Sequence, residues 1–391
     1  MDSSLKTLLH NDIASIFSIT QLLRWLLVIL SVSQTFSLCN GYVYTLIRAG
    51  STMQYVVFDT GSTIFWIQCH PCDPCVDQDT QHYSVGPKKI LRWSDSHCPT
   101  TNPKFFDDEG LCAYLVRYND GTTTSGKLAR VTYGIFNSEF IVFGCSYSTT
   151  PKSAFGNPII TGVLGMGKEW DSHSVVSQNW DGRFSFCFES DTVELQRDRI
   201  LVGPDSKVLP GANELEMIEG RVESHLYDVR LEGMHVWSSD GWQEINVDPG
   251  TFEGGCVLDT GTAMTHLVAD AYDEVVSSMD DYFKRQGFIK QFSNPGFEKL
   301  CYEPNITTDL STVQAPPVML QFKGISGDPV YMMWGEKQLF DTDKFGGRCL
   351  QIVPTHESFT TIGAHQMTDI FFTFDQVKKR IYFSPLPHCN V

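Results

Sequence analysis

Asp59-Thr60-Gly61-Ser62 follows the apolar run Tyr55-Val56-Val57-Phe58, and Asp259-Thr260-Gly261-Thr262 follows Cys256-Val257-Leu258. Each aspartate falls where a buried strand should give way to a tight turn. One such tetrapeptide could arise by chance. Two in matching context, 200 residues apart, indicate related halves that each bring one carboxylate to a shared site. A second mark repeats at nearly the same interval. Gly165 of Val163-Leu164-Gly165 lies 106 residues after Asp59, and Gly363 of Thr361-Ile362-Gly363 lies 104 after Asp259. That interval far exceeds a solenoid repeat, so the chain reads as a duplicated β-rich lobe.

Composition bounds the rest. The 391 residues are 42% hydrophobic, enough to bury the cores of two lobes of about 170 residues each. Net charge is −17 and the sequence pI about 5.0, with no Lys/Arg run, which argues against nucleic acid or an anionic membrane as partner. Short alternating segments at 41–48, 54–58, 113–118, 127–134 and 139–143 are separated by Gly, Asp, Asn and Thr clusters. They predict an all-β class with a few short helices. Ala269–Arg285 is the best helix candidate, and 174–178 a short one. Residues 203–224 are the least patterned and should hold the crossing, which divides the chain into lobes 39–210 and 211–391.

Residues 25–32 (Trp-Leu-Leu-Val-Ile-Leu-Ser-Val) have the length of a signal-peptide core and are too short to span a bilayer. They predict an export signal over 1–38, cut near Ser33 or Ser37, with no stable membrane insertion afterwards. No apolar C-terminal tail suggests a lipid anchor. Twelve cysteines in an exported chain predict a disulfide framework. Cys69-x2-Cys72-x2-Cys75 has metal-ligand spacing, but it lacks a second Cys/His pair, so no metal is expected. Asn305-Ile306-Thr307 is a sequon and predicts a glycan on a surface loop of the second half.

Two carboxylates a few ångströms apart cannot both ionise cheaply, so one holds a proton that the pair shares. Such a pair can hydrolyse a peptide: one member draws a proton from water while the other polarises the scissile carbonyl. Asp59 and Asp259 are the candidates, and no cofactor is needed. Gly61 and Gly261 allow the tight turn and expose N–H groups to the carboxylates. No Gly-x-Ser-x-Gly elbow occurs, and His70, His97 and His266 make no ligand set or triad. Cys256, on a buried strand beside a carboxylate, reads as core packing or a disulfide half-cystine rather than a nucleophile.

From about Gly41 to Cys389 the chain resembles the pepsin-like aspartic proteases. Trp66-Ile67-Gln68-Cys69-His70-Pro71-Cys72-Asp73-Pro74-Cys75, Ile160-Thr161-Gly162-Val163-Leu164-Gly165-Met166-Gly167 and Phe184-Ser185-Phe186-Cys187 are similar to the nepenthesin-type plant branch. The resemblance implies a bilobal fold with the active site in the cleft and an acid-active endopeptidase acting on polypeptides. It further implies a monomer that is secreted or vacuolar. Thr60 and Thr260 would cross-link the two loops, and Ser62 and Thr262 would hydrogen-bond the carboxylates. Tyr118-Asn119-Asp120-Gly121, a hairpin signal in itself, would be the tip of a flap over 113–134, with Trp66 contacting Tyr118. The polar stretch 69–112 would be a stapled insertion. Implied bridges are Cys69–Cys72, Cys75–Cys112, Cys145–Cys389 and Cys301–Cys349, leaving the pairing of Cys39, Cys98, Cys187 and Cys256 open.

Three departures stand against that pattern. Asn119 replaces the usual flap glycine. Arg48-Ala49-Gly50-Ser51-Thr52 replaces the usual approach to the first aspartate. Almost no room is left between the apolar core and the first lobe for a pro-segment. The alternative reading is a two-lobed binding protein of the xylanase-inhibitor type; such relatives have lost part of the dyad, and here both aspartates, both glycines and Tyr118 are present.

Overall fold

The computed structural model describes residues 36–39, 42–50, 52–98, 109–131, 140–152, 154–168, 174–190, 198–293, 299–305, 308, 313–386 and 389. The signal core at 25–32, the end of the expected flap at 132–134 and Thr307 of the sequon lie outside them. The chain is mostly β, arranged as the two-lobed fold expected. An eight-stranded sheet makes the first lobe, sheets of five, four and four strands make the second, and another five-stranded sheet joins them.

The joining sheet explains why the lobe boundary is poorly marked in the sequence. Arg183–Cys187 and Arg199–Val202, from the first half, pair with Ile370–Asp375 and Arg380–Pro385, from the end of the chain, and Asn213–Glu216 closes the edge. Phe184, Phe186, Phe372, Phe374 and Phe383 are all fully buried there. Phe58 of the first dyad strand packs edge-on against Phe184, Phe186 and Phe188 at 5.3–6.1 Å. Removing one such ring costs about 3–5 kcal/mol. A division at residue 210 therefore cuts the linear chain but not the packing.

Helix Ala269–Arg285 coincides with its predicted span. Ala271, Tyr272, Val275, Val276, Met279 and Phe283 recur at i, i+3 and i+4 and are buried, while Asp270 and Lys284/Arg285 sit at the ends where the helix dipole favours their charges. Phe283 stacks on Tyr302 at 4.3 Å and meets Phe340 edge-on. The shorter helix is Val175–Asn179, one residue later than predicted.

Phe36–Cys39 pairs with Tyr42–Ala49 as an edge strand of the eight-stranded sheet. The first lobe therefore begins within the 1–38 span assigned to the export signal.

The disulfides correct three of the four expected pairs. Cys69 follows strand Phe65–Gln68, which runs parallel to Ile141–Thr150 in the register Ile67↔Cys145, so its partner is Cys145, with Cα atoms 5.4 Å apart. Cys72 then bonds Cys75. Cys112 donates its N–H to Leu91, which brings it to Cys98 instead of Cys75. Cys187, at the end of its strand in the joining sheet, takes Cys389, the partner expected for Cys145. Cys301 and Cys349 lie directly opposite on antiparallel strands and are bonded. The resemblance implied the expected pairs, but strand register sets the observed partner of Cys69. In the chain-entropy view, the Cys187–Cys389 closure stabilises by about 5 kcal/mol.

Candidate active site

Each aspartate rests on the same backbone arrangement. Strand Thr52–Asp59 runs parallel to Ile160–Gly165, and Phe65–Gln68 returns antiparallel to that same strand. In the second lobe Cys256–Leu258 runs parallel to Thr360–Ile362, which also pairs antiparallel with Thr265–Val268. Gly165 and Gly363 occupy equivalent places beneath the loops. A Cβ on Gly165 would lie 2.6 Å from the Thr63 carbonyl carbon, and one on Gly363 2.5 Å from that of Met264. Only glycine lets the loop settle this close to its supporting strand, which is why the mark recurs in both halves.

The two loops clasp each other. Thr60 Oγ1 donates to Leu258 O at 2.9 Å and accepts from Thr260 N–H at 2.9 Å. Thr260 Oγ1 donates to Phe58 O at 2.7 Å and accepts from Thr60 N–H at 3.1 Å. All four bonds are buried, and both threonines are fully inaccessible, so each bond is shielded from competing water.

Each carboxylate also accepts two local bonds. Gly61 N–H and Gly261 N–H donate at 2.8 Å to the Oδ1 atoms of Asp59 and Asp259. The Ser62 hydroxyl donates to Asp59 Oδ2, and Thr262 Oγ1 donates to Asp259 Oδ2 at 2.6 Å. The glycines are needed for approach as well as turning: a Cβ on Gly61 would lie 2.5 Å from Asp259 Oδ1, and one on Gly261 would collide with Asp59 Oδ1.

Burial, and then the neighbouring charge of Asp259, push the Asp59 carboxyl far above the usual carboxylate range. Its bonds from Ser62 and Gly61 act in the opposite sense and lose. The pair thus retains a proton well above the pH at which an isolated carboxyl loses it, as a shared-proton dyad requires.

Ala113–Arg117 and Thr123–Val131 form the hairpin expected at the flap. Tyr118 N–H donates to Thr122 O at 2.8 Å, and Gly121 takes φ +86°, a left-handed conformation that favours glycine. Asp120 caps the turn by accepting from both Thr122 N–H and its hydroxyl. Asn119 needs no positive φ here, because Gly121 supplies it. Trp66 Nε1–H donates to the Tyr118 hydroxyl at 2.7 Å, and that hydroxyl lies beside Ser62. Burial and then the nearby Asp59 charge hold the phenol proton on, so Tyr118 stays a neutral donor. A polar chain therefore runs from the fully buried Trp66 indole through Tyr118 and Ser62 to Asp59.

Other sequence candidates lie apart or play structural roles. Cys256 is buried and unbonded, its thiol held protonated by burial and by the charge of Asp228. In the insertion, burial and then the nearby His70 lower the basicity of His82. His266 lies near Asp259; burial lowers its basicity and the Asp259 charge partly restores it. Among the described residues no group of three or more His, Cys, Asp or Glu is placed to hold a metal. Sequence reading missed Tyr227, which sits fully buried between the lobes just past the unpatterned 203–224 stretch. A single tyrosine with no repeat in the other half offers no signal.

Residues 42–195 match the family described as xylanase inhibitor N-terminal, and residues 226–385 the family described as xylanase inhibitor C-terminal. The chain is 29% identical to aspartic proteinase nepenthesin-2 of Nepenthes gracilis, over 68% of this chain and 60% of that protein. It is 26% identical to nepenthesin-1 of the same plant, over 84% of this chain and 73% of that one. Likeness to the protein ASPARTIC PROTEASE IN GUARD CELL 2 of Arabidopsis thaliana is 26%, over 88% and 72%. The match to the first of these relatives thus spans three fifths of its length. The crystal structure of edgp superposes with a TM-score of 0.68 at 16% identity, covering 91% of this chain and 95% of that one, which shows the shared fold.

Proposed function

The chain belongs to the pepsin-like aspartic proteases of plants, and we propose that it is an acid-active endopeptidase that cleaves polypeptides with the Asp59/Asp259 dyad. The single observation that carries this reading is the mutual clasp of the two Asp-Thr-Gly loops, with both carboxylates present and the Asp59 proton held by burial and by its partner. Water bound between the carboxylates gives a proton to the ionised member and attacks the scissile carbonyl, which the protonated member polarises. The resulting tetrahedral diol collapses as a proton passes to the leaving nitrogen, the C–N bond breaks, and the dyad returns to its shared-proton state. Tyr118 and Trp66 would close the flap over the bound strand and exclude bulk water.

The five disulfides among the described residues suit an oxidising compartment, which supports export to the cell exterior or vacuole. Of the two cut sites considered, Ser33 fits better, since Phe36–Cys39 is built into the sheet. Asn305 is exposed and available to carry a glycan. No helix among the described residues is long and apolar enough to cross a membrane.

A second reading, binding and inhibition of a glycosidase, is favoured by the descriptions of the two matching family models. The intact dyad favours hydrolysis. The test is cleavage of denatured globin at pH 3–5, with and without pepstatin, beside an assay of xylanase inhibition. We expect pepstatin-sensitive cleavage and a loss of about 10³-fold or more in Asp59→Asn and in Asp259→Asn. Inert protein that blocks xylanase would reverse the conclusion.

A further inference from the structure

The clasp of Thr60 and Thr260 links the dyad loops directly, but a second route joins them through Tyr227. The Tyr227 carbonyl accepts the N–H of Leu258, the residue before Asp259, at 3.0 Å. Its hydroxyl donates to Met166 O at 2.6 Å, and the Met166 N–H donates to Asp59 O at 2.7 Å. One residue, through its backbone carbonyl on one side and its hydroxyl on the other, thus connects the two aspartate loops across the lobe boundary. Its hydroxyl has a single proton, committed to Met166, so it is the acceptor for Gln376 Nε2 at 2.7 Å. Gln376 stands in the turn between the two C-terminal strands of the joining sheet, and its backbone N–H is tied to Gly182 O.

The neighbours of Tyr227 hold it at this spot. Phe374 meets its ring edge-on at 4.5 Å and Phe184 at 6.1 Å. His225 O accepts from Lys168 N–H at 2.8 Å on the first-lobe side. Asp228, fully buried, accepts from Cys256 N–H at 2.9 Å on the other and is gripped by Arg221 at 2.9 and 2.8 Å. Phenylalanine would keep the ring contacts, so only the hydroxyl accounts for the link to Met166 and Gln376.

We propose that Tyr227, oriented by Gln376, is a positioning residue that sets the separation of Asp59 and Asp259 and thereby keeps their proton shared. This rests on the endopeptidase reading of the dyad. Loss of the hydroxyl leaves Met166 O without its partner and lets the two dyad strands shift relative to each other, while the flap and the cleft walls stay as they are. Small misplacements of reacting groups are costly in rate, and a change confined to the reacting groups falls on kcat with KM unmoved.

The test compares Tyr227→Phe, Gln376→Ala and, as control, Tyr282→Phe, which removes a hydroxyl bonded to Gln314 O on the far helix. In the full oxidised chain, Tyr227→Phe should lower kcat about tenfold with KM within about twofold. The basic limb of its kcat/KM profile should move to lower pH, because Asp259 presses less on Asp59. Gln376→Ala should move both quantities in the same direction by less, and Tyr282→Phe should match wild type. The other titratable groups facing the dyad, Tyr118 on the flap and His266 on Thr265–Val268, are unchanged in all three variants. Carbon-13 titration of labelled aspartate carboxyls reads the same shift without turnover, so it decides the matter even if wild type proves inert on every peptide. A wild-type pH profile and titration in Tyr227→Phe would overturn the proposal. Should that variant fail to fold, a wild-type profile in Gln376→Ala would do so.

Discussion

The two aspartate loops are nearly superposable in their hydrogen bonds and unlike in what covers them. Both carboxylates accept from a glycine N–H two residues on and a hydroxyl three residues on. Asp59, however, is only 6% exposed and lies at the end of the Trp66–Tyr118–Ser62 chain. Asp259 is more open and has His266 nearby, and its lobe follows the loop with a 17-residue helix. Duplicated backbone supplies the geometry of a pair; the surroundings of its two members are unequal.

That division can be broken at the glycines, where the largest effect is expected. Gly261→Ala drives a methyl group onto Asp59, the more enclosed carboxylate, and should reduce kcat about 100-fold in a folded protein. Gly61→Ala meets Asp259, which has more room to yield, and should cost less. Equal losses, measured by steady-state kinetics with folding checked by circular dichroism, would mean that cover does not distinguish the two sides.

A smaller effect should follow from Tyr118→Phe. The Trp66 indole then loses its acceptor, for an expected loss of about tenfold in kcat/KM. A removed hydroxyl on the second side, as in Thr262→Val, should instead act on the pair's own titration, seen as a displaced acid limb.

The smallest effect concerns stability. The folded-state pKa of Asp59 is pushed up to about 8 and that of Asp198 to about 6, first by burial in both cases. Raised carboxyl groups favour the folded state while protonated, so their contribution is complete below about pH 4 and is lost as pH rises, through about 6 for Asp198 and about 8 for Asp59. Melting temperature should therefore fall by several degrees between pH 4 and 8. Asp59→Asn, which mimics the protonated form, should flatten that slope. An unchanged slope would contradict the asymmetry.

The features legible in the sequence were those that occur twice. Asp-Thr-Gly and the supporting glycine announce themselves because each half needs the same close approach, and periodicity marks Ala269–Arg285 because one face of it is buried. Tyr118 was found through the Asp-Gly turn beside it. Bonds fixed by register were hidden. Nothing near Cys69 in sequence points to Cys145, since a parallel strand 76 residues away supplies the partner. Tyr227 and Gln376, 149 residues apart, meet only because the joining sheet folds the end of the chain back between the lobes.

The Cys187–Cys389 bridge returns the end of the chain to its middle, enclosing the whole second lobe in one covalent ring with the joining sheet as its clasp. A single peptide-bond cut anywhere inside that ring opens it without parting it. A molecule nicked there by any protease would thus survive as one molecule, with full mass on a non-reducing gel and two fragments only after reduction.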